Sequence, residues 1–277
     1  MTDDVTGPPP VAQVFETLAS SYDQTGVEFF KPVGRRLVGL LDPRPGERCL
    51  DVGCGRGAAT LPLARAVGET GRVDAIDLAP SMAAATQDLV DRAGLRNVHV
   101  EVGDAADVSR YDDHGYDVVA SSLVLFFVDD PATVLRGWAG KVASGGRIGL
   151  TTFDELDEPT RTVDDLFTPW LPPALRDART SGAAGPFASD QGMEELFSVA
   201  GIGDVRTVNE PTTLEFADVE AWRAFSMSTG QRAMWKHVPE ADQGELVDRA
   251  REVLEATRVD GGPCRLVWRM RYTLGVG

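Results

Sequence analysis

"CLDVGCGRGAAT", Cys49 to Thr60, places three glycines between an apolar run and a helix-like segment. Glycine has no side chain, so at such a turn main-chain N–H groups can approach a ligand closely. The glycines are Gly53, Gly55 and Gly57, in the pattern D-x-G-x-G-x-G. This stretch therefore predicts an α/β fold with a ligand site at the carboxyl end of its first buried strand.

The spacing of these glycines distinguishes between kinds of ligand. A dinucleotide site has G-x-G-x-x-G, and a phosphate-binding P-loop has G-x-x-x-x-G-K-[ST]; this chain matches neither pattern. The spacing therefore speaks against a nucleotide-dependent oxidoreductase. Asp51 would repel a pyrophosphate, but its negative charge would suit a ligand with a positive ammonium group. S-adenosylmethionine carries such an ammonium beside its carboxylate, with a sulfonium further along.

Composition and charge restrict the class of partner. The chain has 277 residues, enough for a full core, and a net charge of −16. This charge argues against nucleic acid or an anionic membrane as partner, because both attract Lys and Arg. The three cysteines have no metal-ligand spacing, and the N-terminus lacks the basic and apolar regions of a signal peptide. We therefore expect a cytoplasmic protein without a metal, whose partner is neither nucleic acid nor a membrane.

Apolar runs alternate with helical patterns as far as Phe153. The predicted strands are Arg48–Gly53, Arg72–Asp77, Val98–Gly103, Tyr116–Leu123 and Arg147–Phe153. The predicted helices between them are Ala58–Val67, Pro80–Gly94 and Pro131–Ala143. Regular alternation of strand and helix predicts a parallel sheet that is covered on both faces.

The pattern changes after Phe153, where a proline-rich stretch with few periodic segments begins. Helices are predicted over Ser189–Ile202, Asp218–Phe225 and Ala241–Thr257, and alternating strands over Asp204–Phe216 and Cys264–Val276. We expect an α/β fold with a doubly wound, mostly parallel sheet, closed by a late antiparallel strand pair. Residues 1–35 would form a helical arm and residues 36–153 a cofactor-binding core. Residues 154–277 would supply lid inserts and the strands that complete the sheet.

Four motifs, taken in order, resemble those of the class I S-adenosylmethionine-dependent methyltransferases. They are LDVGCGRG (Leu50–Gly57), VDAIDLAPSM (Val73–Met82), VEVGDAADV (Val100–Val108) and YDVVASSL (Tyr116–Leu123). The resemblance covers roughly Val14 to Leu150. It implies a Rossmann-like fold and transfer of a methyl group from S-adenosylmethionine, leaving S-adenosylhomocysteine.

The resemblance also implies which residues bind the cofactor. They are Tyr22, Asp51, Gly53, Gly55, Asp77, Leu78, Met82, Asp104, Ala105 and Ser121. Asp77 ends the second strand, where a carboxylate can accept from both ribose hydroxyls. Leu78 and Met82 would flank the adenine, and Asp104 and Ala105 would meet its polar edge. A carbonyl near Ser121 would meet the ammonium, and the arm that carries Tyr22 would close over the cofactor.

The acceptor side departs from the subgroup that the chain resembles most, the ubiquinone/menaquinone-biosynthesis methyltransferases. There the stretch after the fourth strand often reads LHHVPDP, whereas here it is LFFVDDP, so Phe126 and Phe127 replace the histidines. This favours an apolar or aromatic acceptor, with Phe126, Trp170 and Trp235 as candidate pocket residues. His237 is the candidate for a general base.

Several questions stay open from the sequence. The acceptor atom could be oxygen, nitrogen or carbon, on a natural-product or quinone type of molecule. A peptide or protein carboxyl methyltransferase and a catalytically silent S-adenosylmethionine-binding scaffold are the alternatives. The oligomeric state is not readable.

Overall fold

The computed structural model describes residues 11–173 and 184–277, which build a seven-stranded sheet with helices on both faces. Residues 1–10 of the predicted arm and residues 174–183 of the predicted lid lie outside the described residues. The strands are β1 Arg48–Val52, β2 Arg72–Asp77, β3 Val98–Val102, β4 Tyr116–Ser122, β5 Val142–Leu156, β6 Gly203–Phe216 and β7 Cys264–Val276.

The strands lie side by side in the order β3-β2-β1-β4-β5-β7-β6. β1 to β5 pair in parallel, whereas β7 pairs antiparallel with β5 on one side and with β6 on the other. This confirms the doubly wound, mostly parallel sheet with a late antiparallel pair. The strand order reverses between β1 and β4, and open α/β sheets bind ligands outside the carboxyl ends of strands at such a point.

Ten helices are described, and several begin at a polar capping residue. They are α1 Val11–Leu18, α2 Phe30–Leu41, α3 Thr60–Val67, α4 Pro80–Arg92, α5 Pro131–Ala139, α6 Glu158–Asp165, α7 Asp190–Val199, α8 Val219–Met227, α9 Arg232–Trp235 and α10 Glu240–Glu255. The side chains of Asp130, Asp157, Ser189 and Asp218 accept a backbone N–H in the first turn of α5, α6, α7 and α8. Each bond satisfies a donor that has no partner within its helix. No helix among these is long and apolar enough to cross a membrane.

Several elements differ from the sequence prediction; the short helix α9, for example, was not predicted. The helix predicted over Pro131–Ala143 ends at Ala139, because Val142 pairs with Tyr116 of β4 and already belongs to the sheet. Strand pairing thus overrides a local helical pattern. The proline-rich stretch contains α6, which was not predicted; its proline, Pro159, lies in the first turn, where a missing N–H leaves no bond unmade.

The sheet separates two hydrophobic clusters, one on each face. Successive residues of β4 point to opposite sides, so Val118 belongs to one cluster and Val119 to the other. α2 runs across the boundary predicted after residue 35 and packs on the sheet at Gly149, where a Cβ would lie 2.9 Å from Leu41 Cδ2. Burial on both faces keeps the strands rigid and holds their carboxyl ends in place for a site.

Candidate active site

The glycine turn after β1 has a left-handed backbone conformation and is hydrogen-bonded to the neighbouring strand. The φ angles of Gly53 and Gly55 are +75° and +53°. The backbone N–H groups of Gly53 and Cys54 both donate to the carbonyl of Ile76 in β2, each at 2.8 Å. A Cβ on Gly53 would lie 2.3 Å from Cγ2 of Val124, whereas a Cβ on Gly55 would meet no atom within 4 Å. A glycine is therefore required at position 53 both because a side chain would collide with Val124 and because the φ angle is positive.

This difference gives a matched pair of substitutions. We expect Gly53→Ala to lower the free energy of unfolding by about 2–4 kcal/mol, because backbone strain adds to the collision with Val124. Gly55→Ala has the strain without the collision and should lower it by about 1–2 kcal/mol. Urea unfolding of the cofactor-free proteins measures both. Equal losses would show that the space around Gly53 is not limiting.

A cleft opens beside this turn, with about 420 Å³ not filled by protein atoms. Its lining comes from the arm, the glycine turn and the end of β4: Tyr22, Asp23, Phe30, Asp51, Gly53, Cys54, Gly55, Arg56, Ala58, Ala59 and Ser122. The cleft therefore lies at the carboxyl ends of the neighbouring strands β1 and β4. This is the place that the strand order predicts for a ligand.

Asp51 is a buried carboxylate in this cleft. Its side chain is 1% exposed and accepts a hydrogen bond of 2.6 Å from Thr60 Oγ1. Burial raises its pKa to about 7; the Thr60 bond opposes this shift, and the nearby charge of Asp77 adds to it. A carboxylate that is taken out of water in this way gains from a cation placed beside it. Asp51 thus favours a ligand with a positive group.

Asp77 joins the end of β2 to the glycine turn. One carboxylate oxygen accepts from the Gly55 N–H at 2.8 Å and the other from the Ala79 N–H at 2.9 Å. Burial raises the pKa of Asp77, and these two bonds lower it. Each oxygen has a second lone pair, so the carboxylate retains capacity for two hydroxyl donors. The next residue, Leu78, is 41% exposed and offers an apolar surface.

Two aromatic residues of the N-terminal segment cover the cleft. The rings of Tyr22 and Phe30 lie 4.2 Å apart, and both side chains line the cleft. Burial raises the pKa of Tyr22 well above its ordinary value, so the phenol stays neutral. Glu16 in α1 accepts from both the backbone N–H and the hydroxyl of Ser81, at the start of α4. The segment is thus held across the site from the glycine turn to α4.

Six of the ten predicted cofactor residues do not line the cleft: Asp77 and Leu78, described above, Met82 and Ser121, and Asp104 and Ala105 in the turn after β3. Met82 is 1% exposed and packs in a small cluster with Leu18 and Ala19 of the arm, so its side chain is covered by α1. Ser121 is buried and donates its hydroxyl to the Val52 carbonyl at 2.9 Å, which ties β4 to β1. The neighbouring residue, Ser122, lines the cleft instead, because successive strand residues point in opposite directions.

The turn after β3 holds the other two predicted adenine contacts. The exposed carboxylate of Asp104 accepts the Ala106 N–H at 2.8 Å. The carbonyl of Ala105 accepts Trp138 Nε1 at 2.7 Å. Trp138 therefore fixes this turn against α5 and leaves the Asp104 carboxylate facing solvent. Neither residue lines the cleft beside the glycine turn.

Phe126 lies in an aromatic group near the cleft, whereas Trp235 belongs to a different aromatic cluster, with Phe167 and Trp222. The ring centroid of Phe126 is 4.6 Å from that of Phe127, 5.6 Å from Phe153 and 6.2 Å from Phe187. Phe29 stacks 6.5 Å from Phe153. The ring of Phe29 also lies 4.9 Å from the ring of Phe30, which lines the cleft. The aromatic group is therefore adjacent to the cleft.

Trp170, Trp235 and His237 are not brought to the cleft. Trp235 is 3% exposed, and its Nε1 donates to Ser226 Oγ at 2.8 Å within the core. Trp170 donates its Nε1 to Asp242 at 3.1 Å. His237 is exposed on the surface after α9. Neither tryptophan lines the cleft: Trp235 is packed in the core, and Trp170 is half-buried beside α10, so their role in an acceptor pocket stays a prediction.

Sequence reasoning missed three small residues of the cleft lining, Cys54, Ala58 and Ala59, and four residues with charged, aromatic or hydroxyl side chains: Asp23, Phe30, Arg56 and Ser122. Three of these four adjoin residues that were predicted, since Asp23 follows Tyr22, Arg56 follows Gly55 and Ser122 follows Ser121. Phe30 had no such signal, because it begins α2 and reaches the cleft only through tertiary packing.

Comparison with known proteins gives a consistent result. A family described as methyltransferase domain matches residues 50–150. Nocamycin O-methyltransferase of Saccharothrix syringae is 37% identical over 275 residues, covering 95% of this chain and 96% of that protein. Aklanonic acid methyltransferase DauC of Streptomyces sp. (strain C5) is 39% identical over 165 residues, covering 60% of this chain and 74% of that protein.

The fold has similar solved structures. Phosphoethanolamine N-methyltransferase 2 of Haemonchus contortus, in complex with S-adenosyl-L-methionine, matches with a TM-score of 0.59 at 14% identity. The match covers 96% of this chain and 58% of that one. At this identity the likeness concerns the fold alone, a Rossmann-like methyltransferase fold.

The fold, the glycine turn and the relatives together define the class of this protein. It is an S-adenosylmethionine-dependent methyltransferase with a Rossmann-like fold. The chain belongs to the methyltransferase domain family and is an enzyme that methylates a small-molecule acceptor. This confirms the resemblance and the cofactor that the four motifs predicted.

Proposed function

We propose that the acceptor atom is an oxygen that is already ionised at neutral pH, carried by a largely apolar small molecule. The observation that carries this proposal is the aromatic group of Phe29, Phe126, Phe153 and Phe187, which adjoins the cofactor cleft. Among the described residues that line the cleft there is no histidine. Such surroundings suit an apolar guest and offer no imidazole to remove a proton.

One of the two relatives supports oxygen as the methylated atom, and the other supports an acidic acceptor. One is named as an O-methyltransferase and the other as a methyltransferase of aklanonic acid. An acidic oxygen, such as a carboxylate or an easily ionised phenol or enol, has no proton left to remove at neutral pH. Because a general base helps only where a proton must leave, this acceptor needs none.

The residues around the cleft match the chemical groups of the cofactor. Asp51 would face the ammonium, and Gly53 and Gly55 would leave space for the methionyl part. Asp77 would accept from the ribose hydroxyls, with Leu78 against the adenine. The fit rests on the buried carboxylate of Asp51, which forms no ion pair with a described residue and bonds to Thr60, and on the free lone pairs of Asp77. S-adenosylmethionine, when bound, supplies a methyl group already activated by its sulfonium.

The protein then has two remaining tasks, to align the acceptor oxygen and to keep water out. Tyr22 and Phe30 cover the cleft and exclude water from it. Phe126 and Phe153 present aromatic faces that hold an apolar acceptor beside the cleft. Aligning two reactants in one site is worth several kcal/mol of barrier, so it can carry this reaction without acid–base help.

The test is a panel of small acceptors that share an apolar aromatic skeleton and differ in one group. The enzyme and S-adenosylmethionine are offered the free carboxylic acid, the phenol, the primary amide and the amine, and products are followed by mass spectrometry. We expect methylation of the acid or the acidic phenol, and an ester product would release methanol in mild alkali. Methylation of the amine alone, or only of a protein acceptor, would contradict the proposal.

Two substitutions separate positioning from base catalysis. We expect His237→Ala to change turnover by less than about 10-fold, because the imidazole is exposed and is not among the residues that line the cleft. Phe126→Ala should raise the acceptor KM by about 10-fold, since it removes an aromatic face from the proposed pocket. Steady-state kinetics with saturating cofactor measure both. A loss of turnover of about 100-fold in His237→Ala, with cofactor affinity intact, would assign that residue as a base.

A further inference from the structure

Arg56 links the glycine turn to the N-terminal arm. It lies between Gly55 and Gly57, and its side chain lines the cleft. One terminal nitrogen, Nη1, donates to the carbonyl of Ala19 at 2.6 Å, just after the end of α1. A single side chain of the turn thus contacts both the cofactor cleft and the segment that covers it.

The Nε–H of Arg56 has no hydrogen-bond partner among residues 11–173 and 184–277. The Nε atom is buried, and no acceptor among the described residues bonds to it. A buried donor without an acceptor is unfavourable, and a guanidinium N–H favours an anionic oxygen above all. The protein's own carboxylates in the lining, Asp23 and Asp51, bond elsewhere, to Lys31 and to Thr60. An anionic group of a bound ligand could therefore accept the Nε–H of Arg56.

The charges of the lining indicate which anion this is. Arg56 is the basic side chain of the described lining, and the other charged residues there are acidic. Burial raises the pKa of Asp23, and the nearby charges of Lys31 and Arg56 oppose this shift. S-adenosylmethionine has one anionic group, the carboxylate of its methionyl part. A carboxylate next to the glycine turn would supply the acceptor that Nε lacks.

We propose that Arg56 binds the carboxylate of the cofactor through Nε while it holds the arm through Nη1, so that cofactor binding and arm closure are coupled. The carboxylate fixes the plane of the guanidinium, and the fixed plane strengthens the bond to Ala19. By thermodynamic reciprocity, the closed arm then tightens cofactor binding to the same degree. This role is independent of the acceptor, so it stands apart from the proposal of O-methylation.

The experiment compares two ligands in two variants. S-adenosylhomocysteine has the amino-acid carboxylate, and 5′-methylthioadenosine lacks the whole amino-acid part. Glu16→Ala is the matched control, because it removes the arm's bonds to Ser81 without touching the cleft. Affinities are measured by calorimetry, and protection of residues 11–23 by hydrogen exchange with and without each ligand.

We expect Arg56→Ala to weaken the binding of S-adenosylhomocysteine by about 10-fold and that of methylthioadenosine by less than about 2-fold. The protection of the arm that S-adenosylhomocysteine induces should disappear in Arg56→Ala. In Glu16→Ala, the affinities for both ligands should fall by the same small factor. The protection of the arm from hydrogen exchange that S-adenosylhomocysteine induces should persist. Equal weakening of both ligands in Arg56→Ala, or arm protection that survives this substitution, would overturn the proposal.

Discussion

Asp77→Ala is expected to weaken S-adenosylmethionine binding by at least about 100-fold. The carboxylate would accept both ribose hydroxyls, and each charge-assisted hydrogen bond is worth about 1.5–3 kcal/mol. The same substitution also leaves the Gly55 and Ala79 N–H groups without their acceptor, which loosens the glycine turn. Calorimetry on the folded variant measures the loss. Unchanged affinity would remove Asp77 from the cofactor site.

A second ligand separates these two effects of Asp77. We propose to measure S-adenosylhomocysteine and its 2′-deoxy analogue in the wild type and in Asp77→Ala. If the carboxylate binds the ribose, the analogue binds more weakly than the parent in the wild type but equally in the variant. If Asp77 only supports the glycine turn, the ratio between the two ligands will be the same in both proteins.

The second large effect concerns stability and pH. Asp51→Asn should raise the free energy of unfolding of the cofactor-free protein by about 3–4 kcal/mol at pH 8 and by only about 1–2 kcal/mol at pH 5. Burial raises the pKa of Asp51 from 3.8 to about 7, so the folded protein holds an extra proton between these values. The stability from this proton is fully present below about pH 4 and is lost as the pH rises through 7. Asn has no charge to desolvate, so its advantage is largest where Asp51 is ionised.

Denaturant unfolding at the two pH values checks this expectation. Asp117→Asn is a control at the amino ends of β1 and β4, where the Asp117 carboxylate accepts the Arg48 backbone N–H. It should show no pH-dependent gain of this size. A gain for Asp51→Asn that is equal at pH 5 and pH 8 would mean that the charge of Asp51 is not disfavoured by folding.

The Asp51 substitution should also weaken the cofactor while it stabilises the fold. The negative charge is unfavourable in the empty site but would pair with the ammonium of S-adenosylmethionine. Residues that reduce stability yet remain in a site are expected where function needs them. In the same way, cofactor binding should tighten as the pH rises through 7, because only ionised Asp51 attracts the ammonium.

The sequence by itself was sufficient for the sheet, for the class of enzyme and for the centre of the candidate cofactor site. Asp51, Gly53 and Gly55 lie in one short segment, and their geometry follows from a strand that ends in a glycine turn. Asp77 was predictable in the same way, because it ends β2, the neighbour of β1. Such positions depend on local backbone geometry and on strand order, and both leave a pattern in the sequence.

The acceptor side was decided by tertiary structure. Trp235 and Phe126 are both aromatic residues in apolar stretches, yet one is enclosed in the core and the other lies in the aromatic group beside the cleft. Which of them can meet a ligand depends on how α9 and the turn after β4 pack. Packing of side chains from distant segments has no period in the sequence, so the sequence could not separate these two residues.

Arg56 illustrates the same limit within the motif itself. Its position between two glycines was readable, but its partner, Ala19, is 37 residues away along the chain. The sequence determined that a loop would approach the cofactor here. Only the tertiary structure decided that α1 would lie across this loop, where it buries Met82 and leaves the Arg56 Nε without an acceptor. The physical reason is that strand ends and glycine turns are set by local backbone preferences, whereas the place of an arm is set by long-range packing.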